Sequence, residues 1–278
     1  MDFELTQGNY YSLEANKAYC SVSQYKTFYG LDGCEARAMA EINGEYERPK
    51  TNALLLGSYV DCLLTEPDNV EQFFKDHPEM ISTRGATAGQ IKAEFKQGEE
   101  MVKRVKKDKR MMQYLGGEHQ RIMKGEIFGL PFKIKMDSYI EHKAIVDLKT
   151  VESLHKGYYI PNQGKVSFVE YYGYILQGAI YQEIVFQNTG ERLPFILACV
   201  SKEAQPDIAL IWIDNDTLHN TIYGNELTDG IARGCEQIMM LKRGEVEPIR
   251  CEQCSYCIPT KKLDKPIHYL ELLGELDR

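Results

Sequence analysis

An acid and a base stand two residues apart in an apolar run, Asp147 and Lys149 within Ile145-Val-Asp-Leu-Lys-Thr150. The run is β-branched and apolar, so it predicts a short buried strand ended by Thr150. Side chains alternate along a strand, which puts Asp147 and Lys149 on one face. A carboxylate and an ammonium on such a strand are costly unless they pair or hold something. A second acid, Asp137, lies ten residues earlier, in Leu130-Pro-Phe-Lys-Ile-Lys-Met-Asp137. That segment also reads as a strand, and Glu141-His-Lys143 is short enough to be a hairpin turn. Asp137 would then stand beside Asp147. Two carboxylates and a lysine on one patch of sheet make an oxygen-ligand site for a hard cation, with a charge stabiliser next to it.

Other residues could join this chemistry. Asp61 is the one charged residue in the apolar helix expected over 52–64. It either points outward on an amphipathic face or reaches a metal or substrate. Gln177 and Tyr181 are four apart in a second helical run, so they share a face, with Tyr174 three residues earlier. A glutamine on an apolar face demands partners. Lys133 and Lys135 share the predicted face of Asp137 and are candidate DNA contacts. Cys251, Cys254 and Cys257 form a C-x-x-C-x-x-C run. These are three reduced thiols in a loop, or three ligands for zinc or an iron–sulfur cluster with a fourth from elsewhere.

The elements that must position these residues follow from pattern. Ser21 or Ser23 caps a helix that breaks at Gly30 to Gly33, and helical composition resumes over 34–41. After the 52–64 helix comes an irregular stretch to about Gly85, then helical composition from Thr87 to Leu115. The basic run 103–110 reads as a solvated helix face. Beyond the hairpin, a helix is expected over 168–185, strands over 193–200 and 208–213, and one long helix over 217–243. This order predicts an α/β core with a mixed sheet flanked by helices. We expect one domain over 1–278, with a helical part at 1–117, a sheet core at 118–247 and a cysteine-containing tail at 248–278.

The 278 residues carry 43% hydrophobic side chains, enough for a full core, and a formal net charge of −8. That charge argues against nucleic-acid binding through overall basicity but leaves room for a local basic site. No apolar run is long enough to span a membrane. The acidic start, Met1-Asp-Phe-Glu-Leu, lacks the pattern of a signal peptide. The expectation is a soluble cytoplasmic protein. Eight cysteines in a chain of this length do not suggest a secreted disulfide scaffold.

Gly57-x-x-x-Asp61, Asp137, Asp147-Leu-Lys149 and Gln177-x-x-x-Tyr181, in that order, resemble the PD-(D/E)XK nuclease superfamily. Within it they are similar to the RecB-like exonucleases and to the phage and prophage exodeoxyribonuclease VIII (RecE-type) group. Each motif alone is weak; the ordered set is specific, over roughly residues 20 to 260. The resemblance implies a restriction-endonuclease-like core and a metal-dependent exonuclease that resects duplex DNA ends for recombination. It implies Mg²⁺ or Mn²⁺ held by Asp137, Asp147 and the Leu148 carbonyl, with Asp61, and Glu118 for a second metal. Lys149 would act on the attacking water or the phosphate, and Gln177 and Tyr181 would position the lysine region and the DNA backbone. It also implies a single-strand annealing protein as partner and a homo-oligomer. Related enzymes staple their chain ends with an iron–sulfur cluster, which would add Cys34 to Cys251, Cys254 and Cys257. One departure stands out: the related helix usually carries histidine where this chain has Asp61. The alternative reading is therefore a catalytically degenerate nuclease fold that binds DNA or a partner.

Overall fold

The computed structural model describes residues 3–226, 228–263 and 265–270. The tail expected at 248–278 and the first two residues of the acidic start thus fall partly outside the described residues. Three short helices open the chain: α1 (Leu13–Ala18), α2 (Val22–Tyr29) and α3 (Glu35–Asn43). Ser21 caps α2 through a capping box with Gln24. Then come α4 (Asn52–Thr65), α5 (Val70–Asp76), α6 (Ala93–Lys106) and α7 (Lys109–Leu115). The stretch before Gly85 is therefore partly helical. The helical run ending at Leu115 is two helices, because Asp108 accepts from Arg110 N and Met111 N and starts a new one. The basic end of α6 faces solvent, with Lys103 paired to Glu100 at 2.6 Å.

The strands β1 (Arg121–Ile127) and β2 (Leu130–Met136) form an antiparallel hairpin. After them β3 (Ser138–Ile140) pairs antiparallel with β4 (Ala144–Val151) around the turn at 141–143. A second small hairpin, β5 (Tyr158–Ile160) with β6 (Gly164–Val166), precedes α8 (Phe168–Tyr171) and α9 (Tyr174–Thr189). The single helix expected over 168–185 is broken at Gly173, whose φ of +64° is left-handed. Next come β7 (Phe195–Ser201), β8 (Ile208–Ile213), α10 (Asn215–Tyr223) and α11 (Ala232–Arg243). The long C-terminal helix is thus also two, separated between Gly224 and Gly230.

The central sheet has the order β3-β4-β7-β8, antiparallel at its edges and parallel between β4 and β7. The parallel pair needs a crossover, and α8 and α9 supply it. Alternation along β4 divides the core. Ala144, Val146 and Leu148 point to one layer with α4, α6 and α7. Ile145 and Val151 point to the other, with α9, β2, α2 and α11. The mixed sheet flanked by helices is the architecture expected from the sequence. Among the described residues no helix is long and apolar enough to cross a membrane.

Candidate active site

The β3–β4 register pairs Ser138 with Val146, so one step back sets Asp137 opposite Asp147. Asp137 sits at the junction of β2 and β3, where its Oδ2 accepts from Leu148 N at 2.7 Å. The Leu148 side chain points into the opposite layer, leaving only its backbone at the site. Asp147 is 2% exposed. Its Oδ1 accepts from Gln177 Nε2 at 2.6 Å, and Lys149 Nζ stands 2.5 Å from its Oδ2. That ammonium is the charge partner of this buried oxygen, although its approach falls outside regular hydrogen-bond geometry. A buried carboxylate oxygen is expensive unless a positive group stands against it.

Asp61 comes to the same cleft from α4. Its Oδ1 accepts from Thr65 Oγ1 at 3.1 Å and its Oδ2 from Gln120 Nε2 at 3.4 Å. The cleft encloses about 700 Å³ and is lined by Asp61, Asp137, Asp147, Lys149, Gln177 and Tyr181, with Lys26 and Lys135 beside them. Burial, followed by repulsion from Asp147 and Glu66, pushes the Asp61 carboxyl up to about 6, against the opposing Thr65 hydrogen bond. Burial, then Asp147 and Asp61, hold Asp137 well above the ordinary carboxylate range. Burial disfavours the charge on Lys149, yet Asp147 and then Asp137 raise its affinity for a proton above the ordinary lysine value. The three carboxylates brought together here, with Asp147 raising the proton affinity of both Asp61 and Asp137, form a cradle for a cation.

Tyr181 lines the cleft, but its hydroxyl donates to Lys135 O at 3.0 Å. It therefore ties α9 to β2, the strand that delivers Asp137. Lys135 lies over the rings of Tyr11 (4.6 Å) and Tyr10 (5.4 Å) at the cleft wall. Of two further expected residues, Glu118 lies away from the cleft, and Lys133 lines it but is turned to other partners. The Glu118 backbone is bridged to Tyr139 in both directions at 2.8 Å, and its carboxylate is exposed and paired with Arg121 at 2.9 Å. It lines a separate cavity with Arg121 and Glu141, so the second-metal role expected for it has no geometric support. Lys133 is 1% exposed, and its ammonium donates to Tyr10 O at 2.5 Å and Asn16 Oδ1 at 2.8 Å. A buried ammonium with these partners holds the N-terminal segment, which corrects the expectation that it contacts DNA. Gln120 and Lys26 are among the residues that reach the cleft without having been singled out in the sequence. Gln120, at φ +55°, turns back to Asp61. Lys26, from α2, lies near Lys149, and burial, reinforced by Lys149, lowers its pKa to about 8. Neither has a motif; only a charge near a helix cap hinted at Lys26.

Away from the cleft, the Sγ atoms of Cys34, Cys251, Cys254 and Cys257 all lie within 4.8 Å of one another. Cys34 caps α3, accepting from Arg37 N at 3.5 Å, and stands 3.6 Å from Cys257 Sγ. Cys251 Sγ accepts from Cys254 N at 3.3 Å. Burial works against the Cys254 thiolate, but the Cys257 backbone and the Cys251 side chain bring its pKa down to about 7. Burial pushes the Cys257 thiol up to about 12. The loop is also stitched to α3 by Ile249 N donating to Glu35 Oε2 at 2.9 Å.

The comparisons with known proteins agree with this geometry. A solved structure from Eubacterium rectale, described as a "Putative exonuclease", is 43% identical over 99% of this chain and 100% of that one, with a TM-score of 0.90. A second, that of SSO0001, covers 77% of this chain and 88% of that one at 14% identity and a TM-score of 0.30, and carries no argument. No curated protein matches the chain. The profile of the family described as "PDDEXK-like domain of unknown function" (DUF3799) matches residues 21–260. The chain belongs to this PDDEXK-like family.

Proposed function

We propose that this protein is a metal-dependent nuclease that hydrolyses phosphodiester bonds at DNA ends. The observation that carries the reading is the convergence of Asp137 and Asp147 in one cleft, Asp137 held by Leu148 N at 2.7 Å, with the Lys149 ammonium against Asp147. Asp137, Asp147 and the Leu148 backbone, with Asp61, would hold Mg²⁺ or Mn²⁺. When bound, such a cation supplies an acidified water and neutralises charge developing on a phosphate. The protein's own groups do the rest. Lys149 presents a fixed positive charge where the phosphate becomes more anionic. Gln177 holds Asp147 in one rotamer through its 2.6 Å hydrogen bond. Tyr181 holds β2, and so Asp137, against α9. The exonuclease description of the 43% identical relative supports action at ends. A role in resection for recombination, with an annealing protein as partner, is the biological setting we infer for it.

The four thiols are proposed to hold a structural metal. One Zn²⁺ with Zn–S bonds of about 2.3 Å places tetrahedral sulfurs about 3.8 Å apart, close to the compact grouping here. A cubane iron–sulfur cluster holds its ligating sulfurs farther apart. Metal analysis of purified protein, with the visible spectrum for iron, separates the two.

The nuclease reading is tested on uniformly labelled linear duplex DNA with Mg²⁺ or Mn²⁺, using a uniformly labelled closed circle as control. Labelled nucleotides should be released from the linear substrate and not from the circle. If neither metal supports release and Lys149→Ala equals wild type, the reading fails. Salt-sensitive binding without cleavage would instead favour the degenerate module.

A further inference from the structure

The segment before α1 makes one wall of the cleft, and it carries an aromatic ring that packing does not explain. Tyr10 and Tyr11 both line the cleft with Asp61, Asp137 and Asp147. The two rings meet edge to face, with centroids 5.0 Å apart at 85°. Tyr10 is the buried one, and its carbonyl oxygen and its ring both receive the Lys133 ammonium. Tyr11 is 72% exposed. Its backbone is already held, because Lys133 also reaches Asn16 Oδ1, and Asn16 Nδ2 donates to Tyr11 O at 3.5 Å. The Tyr11 ring is therefore not needed as an anchor. Yet Lys135, which also lines the cleft, places its ammonium over that ring, 4.6 Å from the centroid. Lys135 precedes Asp137 by two residues, about 7 Å along an extended chain, and its charge is felt at Asp61. A ring face holds an ammonium without neutralising it, so Lys135 keeps its full charge at the cleft wall.

A solvent-open ring beside a cation suits unpaired nucleic acid, because the ring stacks on a base face and the cation meets a phosphate. A ring that shares a cleft with the acids lies within reach of a strand whose phosphate occupies them. We propose that Tyr11 is a stacking site for an unpaired base of the DNA strand that enters the cleft, with Lys135 meeting a phosphate of that strand. Tyr10 sets the angle of the ring through its edge contact. The favoured substrate is then a DNA end whose terminal bases are unpaired. This inference rests on the nuclease reading; it adds the residue that selects the end and the feature of the end that is selected.

The test uses the full chain with no divalent metal added, so that strands stay intact. Binding of a labelled oligothymidine, of an abasic strand of the same length and of a blunt duplex is followed by fluorescence anisotropy. Tyr11→Ala should weaken oligothymidine binding by about fivefold or more and change the other two by less than about twofold. Tyr11→Phe should bind oligothymidine like wild type. Tyr11→Leu, which keeps an apolar side chain against Tyr10 but no aromatic face, should bind it like the Ala variant. Lys135→Ala should weaken both single strands and lower the slope of log K against log salt by about 0.7, the loss of one phosphate contact. No loss on oligothymidine with Tyr11→Ala, an equal loss on the abasic strand or the blunt duplex, a Leu variant that binds like wild type, or an unchanged slope with Lys135→Ala would overturn the proposal. Should Tyr11→Ala lower the thermal midpoint, Tyr11→Leu carries the test. A wild type that releases nucleotides from linear DNA, with a Tyr11→Ala variant that binds oligothymidine equally well, sinks the stacking site alone. A wild type that binds oligothymidine through Tyr11 but cleaves nothing with Mg²⁺ or Mn²⁺ sinks the nuclease reading alone.

Discussion

At the scale of single residues, the cleft works by forcing like charges together and offsetting them with one lysine. Asp61, Asp137 and Asp147 share a small volume, and Lys149 is the ammonium against Asp147. In the proposed reaction, removing Lys149 takes away a fixed charge facing the phosphate while leaving the acids in place. Lys149→Ala should therefore lower the cleavage rate by about 10²- to 10³-fold. Mn²⁺ binding, read by calorimetry on the same variant, should persist. Loss of Mn²⁺ binding with it would mean the lysine is needed to shape the acids rather than to act on substrate. A divalent cation that enters this cradle relieves repulsion among three acids, so Mn²⁺ should raise the thermal midpoint of the wild type. Asp147→Asn should abolish that increase. An equal increase in the variant would place the ion elsewhere, the cysteine cluster being the first site to check.

At the scale of elements, α9 does two jobs from one face. Gln177 reaches Asp147, and Tyr181 ties down β2 one turn later. The close approach to the sheet that this requires falls at Gly178. A Cβ there would lie 2.6 Å from Phe195 Cδ1 and 3.1 Å from Leu218 Cδ2. Gly178→Ala should cost about 1–3 kcal/mol by overpacking, measured by denaturant unfolding. Because α9 must back away from β7, Gln177 should lose its hold on Asp147 and activity should fall more than stability alone explains. Tyr181→Phe removes one hydrogen bond without changing shape. It should cost about 1 kcal/mol and leave the fold intact. A Tyr181→Phe variant that loses cleavage at unchanged stability would instead make the hydroxyl a direct contact with substrate.

At the scale of the whole molecule, the net charge of −8 means that the DNA substrate proposed above has to be held by a local group of cations. Lys26 and Lys135 at the cleft are the cations placed to do so. Binding should weaken with added salt, with a shallow slope matching only a few phosphate contacts. A salt-independent affinity would point to a protein ligand. The cysteine cluster joins α3 to the loop after α11, elements more than 200 residues apart in sequence. Chelation or Cys257→Ser should lower the thermal midpoint and release one metal per chain, without removing the acids of the cleft.

The local part of this protein was legible because its signals are periodic. Alternation along β4 put Asp147 and Lys149 on one face, and a three-residue turn brought Asp137 beside them. The mixed sheet followed from the order of strands and helices. Breaks at Asp108, Gly173 and Gly224 were harder to read, because composition stays helical across a cap or a left-handed residue. Glu118 and Lys133 were misplaced for a related reason. Their types suit the chemistry, but backbone pairing to Tyr139 and burial against Tyr10 decide where they point. Gln120 reaches Asp61 only through a positive φ and the packing of α4, neither of which leaves a sequence signal. The sequence by itself determined the chemistry available: acids and a lysine at strand spacing, and thiols at ligand spacing. Only the tertiary structure decided which of these side chains meet, because the meeting depends on contacts between residues far apart in the chain.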